Sequence, residues 1–248
     1  MLRAASKGVK AAANAPHREI ELVSKIEPVI ALNLPGTELE PELRDYFRAC
    51  EEKLGFVPNV LKAFAFDNKK LKCFIDMVDD LMLGESGLSR LDREMIAVAV
   101  SAVNHCHYCL TAHGAALRQR ANDPVLGEVI AHNYRAAELA PRHKAMLDFA
   151  VRLTEAPASI AAADRDGLRA AGFSDRDIWD IAAVAAFYNM SNRLAAAVDL
   201  RPNPDYHYAA RDKPPARPAG AAVAAPRARR RQGTPGARRR SRNASLIS

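Results

Sequence analysis

The chain has 248 residues, of which 49% are hydrophobic and 6% aromatic, and its formal net charge at pH 7 is +7. This composition can bury a sizeable core and so excludes a wholly disordered protein, and the excess of Ala, Leu and Val over aromatic residues favours helices over strands. No apolar run approaches the roughly 20 residues that a membrane-spanning helix requires.

The positive charge lies almost entirely at the C-terminus. From Arg211 onward, eleven basic residues face one acid, Asp212, a net charge of +10, which leaves −3 for residues 1–210. Residues 209–248 are rich in Pro, Gly and Arg, which predicts a disordered tail that makes at most weak, nonspecific contacts with nucleic acid. Residues 1–25 lack apolar periodicity and predict a flexible arm rather than a targeting segment. Residues 26–208 are predicted to form the folded domain.

The pattern of apolar residues and helix-ending signals between these two ends predicts an all-α, multihelical fold. Ser89 is the expected N-cap of the most apolar helix, which is predicted to be central in the core. The predicted helices, in chain order, are Glu40–Leu54, Leu61–Ala65, Lys69–Leu83, Ser89–Val103, Cys106–Arg120, Asp123–Asn133, Pro141–Thr154, Ala161–Ala171 and Ser174–Ala197.

Two of these segments resemble each other at an offset of 85 residues. The matched positions are Ser89/Ser174, Asp92/Asp177, Ile96/Ile181, Ala97/Ala182 and Asn104/Asn189. The match predicts a duplicated helical-hairpin core. In this register Ser191 and Leu194 replace Cys106 and Cys109, so only the first copy carries thiols. Tyr188, Asn189, Asn192 and Arg193 are then either lining residues of a pocket or polar groups at a helix contact.

The four cysteines include one close pair, Cys106 and Cys109, and no signal peptide is evident, so we expect a cytoplasmic protein with reduced thiols. Cys50 and Cys73 have no close partner and are expected to be buried. On a helix, Cys106, Cys109 and His113 share one face. The pair could bind zinc, but no second pair of ligands is apparent, so redox chemistry is favoured.

Glu94 lies in the apolar helix that precedes these residues and therefore needs a polar partner. In one unbroken helix it would lie about 28 Å from His113. A sharp reversal near Asn104, with Asn104 as N-cap of the second helix, would instead bring Glu94 beside His113. The carboxylate would then orient the imidazole, and His113 would take the proton of Cys109. The helix dipole acts on Cys106 instead, so the two arguments favour different thiols. We follow the His113 argument and expect Cys109 to be the activated thiol, because a base one turn away acts on a specific thiol.

This set of residues, Glu94, Cys106-x-x-Cys109 and His113, resembles the alkyl hydroperoxidase D and carboxymuconolactone decarboxylase superfamily, in particular its peroxidase-related members. Phe56-Val-Pro-Asn-Val60 and Ala183-Val-Ala-Ala-Phe-Tyr-Asn-Met-Ser-Asn-Arg193 are also similar to that group, and the resemblance covers roughly residues 41–204. It departs from the best-studied members at Tyr108, where they have a second His.

The resemblance implies a thiol peroxidase that works as a homo-oligomer, without a bound cofactor or metal. Cys109 would attack a hydroperoxide, Cys106 would resolve the sulfenic acid as a disulfide, and an external dithiol or thiol protein would reduce that disulfide. His113 would be the base, and Glu94 would orient it. Two alternatives are a general disulfide oxidoreductase and a redox-sensing binding protein that depends on the basic tail. Deleting the tail would separate the last alternative from the others.

Overall fold

The computed structural model describes residues 29–211, and this part of the chain is all-helical, as the sequence predicts. The predicted arm at residues 1–25 and all but the first three residues of the predicted tail lie outside the described range. The helices are α1 (Pro41–Leu54), α2 (Asn59–Phe64), α3 (Asn68–Leu83), α4 (Arg90–Val103), α5 (His107–Ala121), α6 (Pro124–Asn133), α7 (Pro141–Glu155), α8 (Ala162–Ala170), α9 (Asp175–Ala197) and α10 (Asp205–Tyr208), with short 3₁₀ turns at Tyr134–Ala136 and Pro157–Ser159.

Helix α4 is the centre of the fold, because α5, α6, α7 and α9 all pack against it. Ten consecutive residues of α4, from Asp92 to Ser101, are buried. Ile96 is completely inaccessible to solvent, as is its counterpart Ile181 on α9. Burying side chains of this size contributes about 1.5–3 kcal/mol each, so the hydrophobic effect holds the helices around α4. No helix of the described residues is long and apolar enough to cross a membrane.

The predicted repeat is visible at the starts of α4 and α9. The Ser89 hydroxyl accepts a hydrogen bond from the Asp92 N–H at 3.1 Å, and the Asp92 carboxylate accepts one from the Ser89 N–H at 2.9 Å. Ser174 and Asp177 form the same reciprocal pair. Such a capping box satisfies N–H groups that the first turn of a helix leaves free. The two segments then diverge, because α4 ends at Val103 while α9 continues without a break to Ala197.

The C-terminal part of the domain crosses back over the rest. Asn203 accepts a hydrogen bond from the Asn59 N–H at 2.8 Å and donates one to the Val57 carbonyl at 3.0 Å, which ties the segment to the start of α2. The buried guanidinium of Arg118 donates to the carbonyls of Tyr206 and Ala209. We call residues 200–211 the strap. It includes the short helix α10 and residues 209–211, which were predicted to begin the tail.

Candidate active site

A tight turn between α4 and α5 builds the site. His105 has φ 52°, in the left-handed region, and its N–H donates to the Ala102 carbonyl while the Cys106 N–H donates to that of Ser101. This pattern is the Schellman motif, in which a residue with positive φ ends a helix. The predicted reversal near Asn104 is therefore confirmed. The prediction that Asn104 caps α5 is wrong, since Asn104 ends α4 and Cys106 is the residue before α5.

The side chain of Asn104 hydrogen-bonds residues of α9 and does not cap α5. Its amide donates to the side-chain oxygens of Asn189 and Asn192, both at 3.0 Å. Asn192 in turn donates to the Ser101 hydroxyl at 3.0 Å. These partners lie 85 to 91 residues away in sequence, so local sequence pattern could not reveal them. The network fixes the turn against α9, and with it the position of Cys106.

The two sulfurs occupy the first turn of α5 and are both buried, with Cys106 3% and Cys109 1% exposed. A hydrogen bond from the Cys109 thiol lowers the pKa of Cys106 to about 6, and the N–H groups of Cys109 and Tyr108 act in the same direction. The same hydrogen bond, together with burial, raises the pKa of Cys109. In the reduced pair the negative charge therefore resides on Cys106, in agreement with the helix-dipole argument.

Glu94 and His113 meet as the sequence predicts, because α4 and α5 run side by side from the turn. His113 Nδ1 lies 2.9 Å from Glu94 Oε2, and the Glu94 side chain is only 7% exposed. A carboxylate at this distance accepts the Nδ1–H hydrogen bond, which leaves Nε2 of a neutral imidazole as the free base. Arg120 Nε lies 3.6 Å from the other oxygen of Glu94 and provides it with a cationic neighbour.

An open cavity of about 960 Å³ lies beside these residues. Cys109, His113 and Glu94 line it, whereas Cys106 does not. Most of the remaining wall is apolar or aromatic, and the lining residues include Phe56, Leu61, Phe74, Phe187, Tyr188 and Tyr206. Tyr206 belongs to the strap and packs edge-on against Phe56 with 5.0 Å between the ring centroids. The strap therefore forms one wall of the cavity.

Helix α9 supplies three residues to the site, of which the repeat indicated two. Tyr188 lines the cavity, and the side-chain amide of Asn192 acts to lower the pKa of both cysteines. Ser191, which sequence reasoning missed, also lines the cavity and acts to lower the pKa of Cys109, although its place opposite Cys106 in the repeat was a usable signal. The other two residues that the sequence proposed as pocket lining do not line the cavity. Arg193 donates a hydrogen bond to the side chain of Asn189 instead.

The other two cysteines and Tyr108 differ in their burial and in whether they line the cavity. Cys73 is exposed, so its predicted burial is wrong, while Cys50 is half-buried and lines the same cavity as Cys109. Tyr108 is buried, and its hydroxyl accepts a hydrogen bond from the Val60 N–H at 3.1 Å. Tyr108 thus anchors α5 to α2. Over residues 29–211, no cluster of three or more His, Cys, Asp or Glu residues is arranged to hold a metal ion, so the zinc alternative gains no support there.

Comparison with known proteins supports the fold described above. The model of the carboxymuconolactone decarboxylase family matches residues 71–151. A peroxidase-related protein from Silicibacter sp. TM1040 is 56% identical, with a TM-score of 0.73, over 75% of this chain and 97% of that one. A peroxidase-related protein from Ralstonia eutropha JMP134, described as an alkylhydroperoxidase AhpD core, is 40% identical, with a TM-score of 0.71, over 75% of this chain and 98% of that one.

More distant structures share the fold alone. The debrominase Bmp8 is 21% identical, with a TM-score of 0.59, over 68% of this chain and 90% of that one. No curated protein matches the chain significantly.

Proposed function

Because the chain belongs to the carboxymuconolactone decarboxylase family, in its peroxidase-related, AhpD-like group, we propose that it is a thiol peroxidase that uses Cys109 and Cys106. One observation carries the proposal. A buried pair of sulfurs at the start of α5 opens through Cys109 into a cavity that it shares with the Glu94–His113 pair.

Access and charge assign different roles to the two sulfurs. A peroxide that enters the cavity meets Cys109, so Cys109 is the attacking sulfur, although Cys106 is the more acidic thiol. In the first step the Cys109 thiol gives its proton to Nε2 of His113. The thiolate attacks the terminal oxygen of the hydroperoxide, an S–O bond forms and the O–O bond breaks. The products are a sulfenic acid on Cys109 and an alkoxide, which takes the proton from His113 to leave as an alcohol.

The low pKa of Cys106 suits the second step. Its thiolate attacks the sulfur of the sulfenic acid, a disulfide forms, and the oxygen leaves as water after protonation. An external dithiol then reduces the disulfide by thiol exchange and is itself oxidised. We propose that this reductant is a small dithiol or a thiol-bearing segment that enters the cavity, because both sulfurs are buried. Homo-oligomerisation remains a proposal from the family resemblance.

Rapid mixing of the reduced protein with hydrogen peroxide and with an organic hydroperoxide tests this function. Cys109→Ser should abolish the reaction, because the attacking sulfur is lost. Cys106→Ser should react once and stop at a sulfenic acid that dimedone traps, as mass spectrometry would show. The control is Cys73→Ser, an exposed cysteine outside the cavity, which should behave like the wild type.

Two results would contradict the proposal. A wild-type protein that exchanges disulfides rapidly but reacts with hydroperoxides no faster than a free thiol would be a general disulfide oxidoreductase. A sulfenic acid that forms on Cys106 in Cys109→Ser would reverse the roles of the two cysteines.

A further inference from the structure

Tyr188 lies beside His113 in the proposed site and has no role in the steps above. It is 1% exposed and lines the cavity together with Cys109 and His113. Its ring meets the imidazole of His113 edge-on, with centroids 4.6 Å apart and an angle of 76° between the planes. Phe187 packs against it at 5.3 Å. The phenol is therefore held in one position.

The hydrogen bonds around Tyr188 leave its hydroxyl hydrogen without an acceptor. The hydroxyl oxygen lies 3.4 Å from Nδ1 of His113. Nδ1 carries the hydrogen that it donates to Glu94 at 2.9 Å, so it cannot accept one from Tyr188. The Tyr188 oxygen can at most be a second, weaker acceptor of that hydrogen. Among residues 29–211, no other hydrogen bond involves the Tyr188 hydroxyl. The hydroxyl hydrogen is therefore available to an acceptor in the cavity that Tyr188 lines.

Burial raises the pKa of Tyr188 well above its ordinary value, with the charges of Glu94 and Cys109 as further causes. The hydroxyl therefore remains protonated throughout the pH range in which a thiol peroxidase works. It is a neutral, fixed donor in a largely apolar cavity. Fixed donors of this kind stabilise charge that develops during a reaction, because they need no reorganisation when the charge appears.

We propose that Tyr188 is a further catalytic residue, whose hydroxyl donates a hydrogen bond to the peroxide oxygen that leaves as the alkoxide. The inference rests on the proposed function. When the Cys109 thiolate attacks the terminal oxygen, the electron pair of the O–O bond moves to the oxygen that carries the alkyl group. Tyr188 stabilises that charge without giving up its proton, and His113 delivers the proton that it took from Cys109. The overall change is one thiol and one hydroperoxide to one sulfenic acid and one alcohol.

Tyr188→Phe tests this role, because it keeps the ring contacts with His113 and Phe187 and removes only the hydroxyl. We expect the rate constant for oxidation by an organic hydroperoxide to fall on the order of 100-fold to 1,000-fold, as for loss of one donor to a developing oxyanion. The rate should also depend more steeply on the acidity of the leaving alcohol across a series of hydroperoxides. Tyr134→Phe is the matched control, since Tyr134 donates to Asp148 away from the cavity.

A second measurement separates this role from a structural one. Alkylation of Cys109 by iodoacetamide releases iodide, which needs no hydrogen-bond donor, so Tyr188→Phe should react at the wild-type rate. Equal losses with iodoacetamide and with hydroperoxides would overturn the proposal, as would wild-type oxidation rates in Tyr188→Phe. A wild-type protein without peroxide reactivity would instead overturn the proposed function itself. Circular dichroism of each variant establishes that it is folded.

Discussion

The reduced cysteine pair shows how a single position in a helix changes the chemistry of a residue. Cys106 and Cys109 are three residues apart and equally buried, yet their pKa values move in opposite directions. Cys106 precedes α5 and faces its free N–H groups, whereas Cys109 lies inside the first turn and donates to Cys106. One proton shared between two sulfurs explains both shifts. It also gives the resolving thiol its charge before the attacking thiol is oxidised.

A pH titration of the thiolate by ultraviolet absorbance tests this division of charge. In the reduced wild type, one thiolate should appear with a pKa of about 6. Disulfide formation after sulfenic acid formation should slow at low pH as Cys106 becomes protonated, because the thiol is a far weaker nucleophile than the thiolate. In Cys109→Ala the pKa of Cys106 should rise, since the thiol that lowers it most is gone.

Cys106→Ala is the matched variant for this titration. Without the neighbouring thiolate, the pKa of Cys109 should fall from its raised value toward the ordinary range. If the low pKa survives unchanged in Cys109→Ala, the two sulfurs do not share a proton.

At the level of the helices, the site depends on where α4 stops. The Schellman motif ends α4 at a non-glycine residue, His105, whose left-handed backbone costs free energy because of its Cβ atom. The packing of α5 against α4, which also brings His113 to the buried Glu94, offsets this cost. A helix that continued past Val103, as α9 continues past the matching position, would separate these two residues.

Replacing His105 tests the turn. His105→Gly should be more stable than His105→Ala by about 1 kcal/mol, because glycine adopts a positive φ without the Cβ clash. Both variants lose the imidazole, so their difference isolates the backbone effect. Urea unfolding of the reduced protein would measure it. An alanine variant as stable as the glycine variant would show that the turn is not held in the left-handed conformation.

At the level of the whole molecule, the strap connects distant parts of the chain to the cavity. Arg118 on α5 donates hydrogen bonds to the carbonyls of Tyr206 and Ala209. Arg211 forms an ion pair with Glu128 on α6. These contacts place Tyr206 opposite Phe56 in the cavity wall. Arg211, which was predicted to lie in the tail, is therefore attached to α6.

A chain truncated after Arg211 tests this boundary and the role of the tail. All proposed catalytic residues and the Arg211–Glu128 pair are retained, so peroxide turnover and the unfolding midpoint should match those of the full chain. Any nonspecific binding to nucleic acid should be lost with the remaining basic residues. A chain truncated after Asp199 is the matched control and should lose stability, because the strap and its bonds to α2 are removed. Loss of peroxide turnover in the first variant would favour a function that depends on the tail.

Sequence alone determined the features that depend on neighbours along the chain. Helix starts at Ser89 and Ser174 follow from capping side chains three residues from their partners. The meeting of Glu94 and His113 follows from two helices joined by a short turn, because equal distances from a turn place residues side by side.

Tertiary structure decided what depends on contacts far apart in sequence. Three sets of contacts join residues more than 70 positions apart in sequence. They are the hydrogen bonds of Asn104 with α9, the contact of Tyr188 with His113, and the bonds that hold the strap to Arg118. No local preference encodes such contacts, since they result from the packing of whole helices around α4.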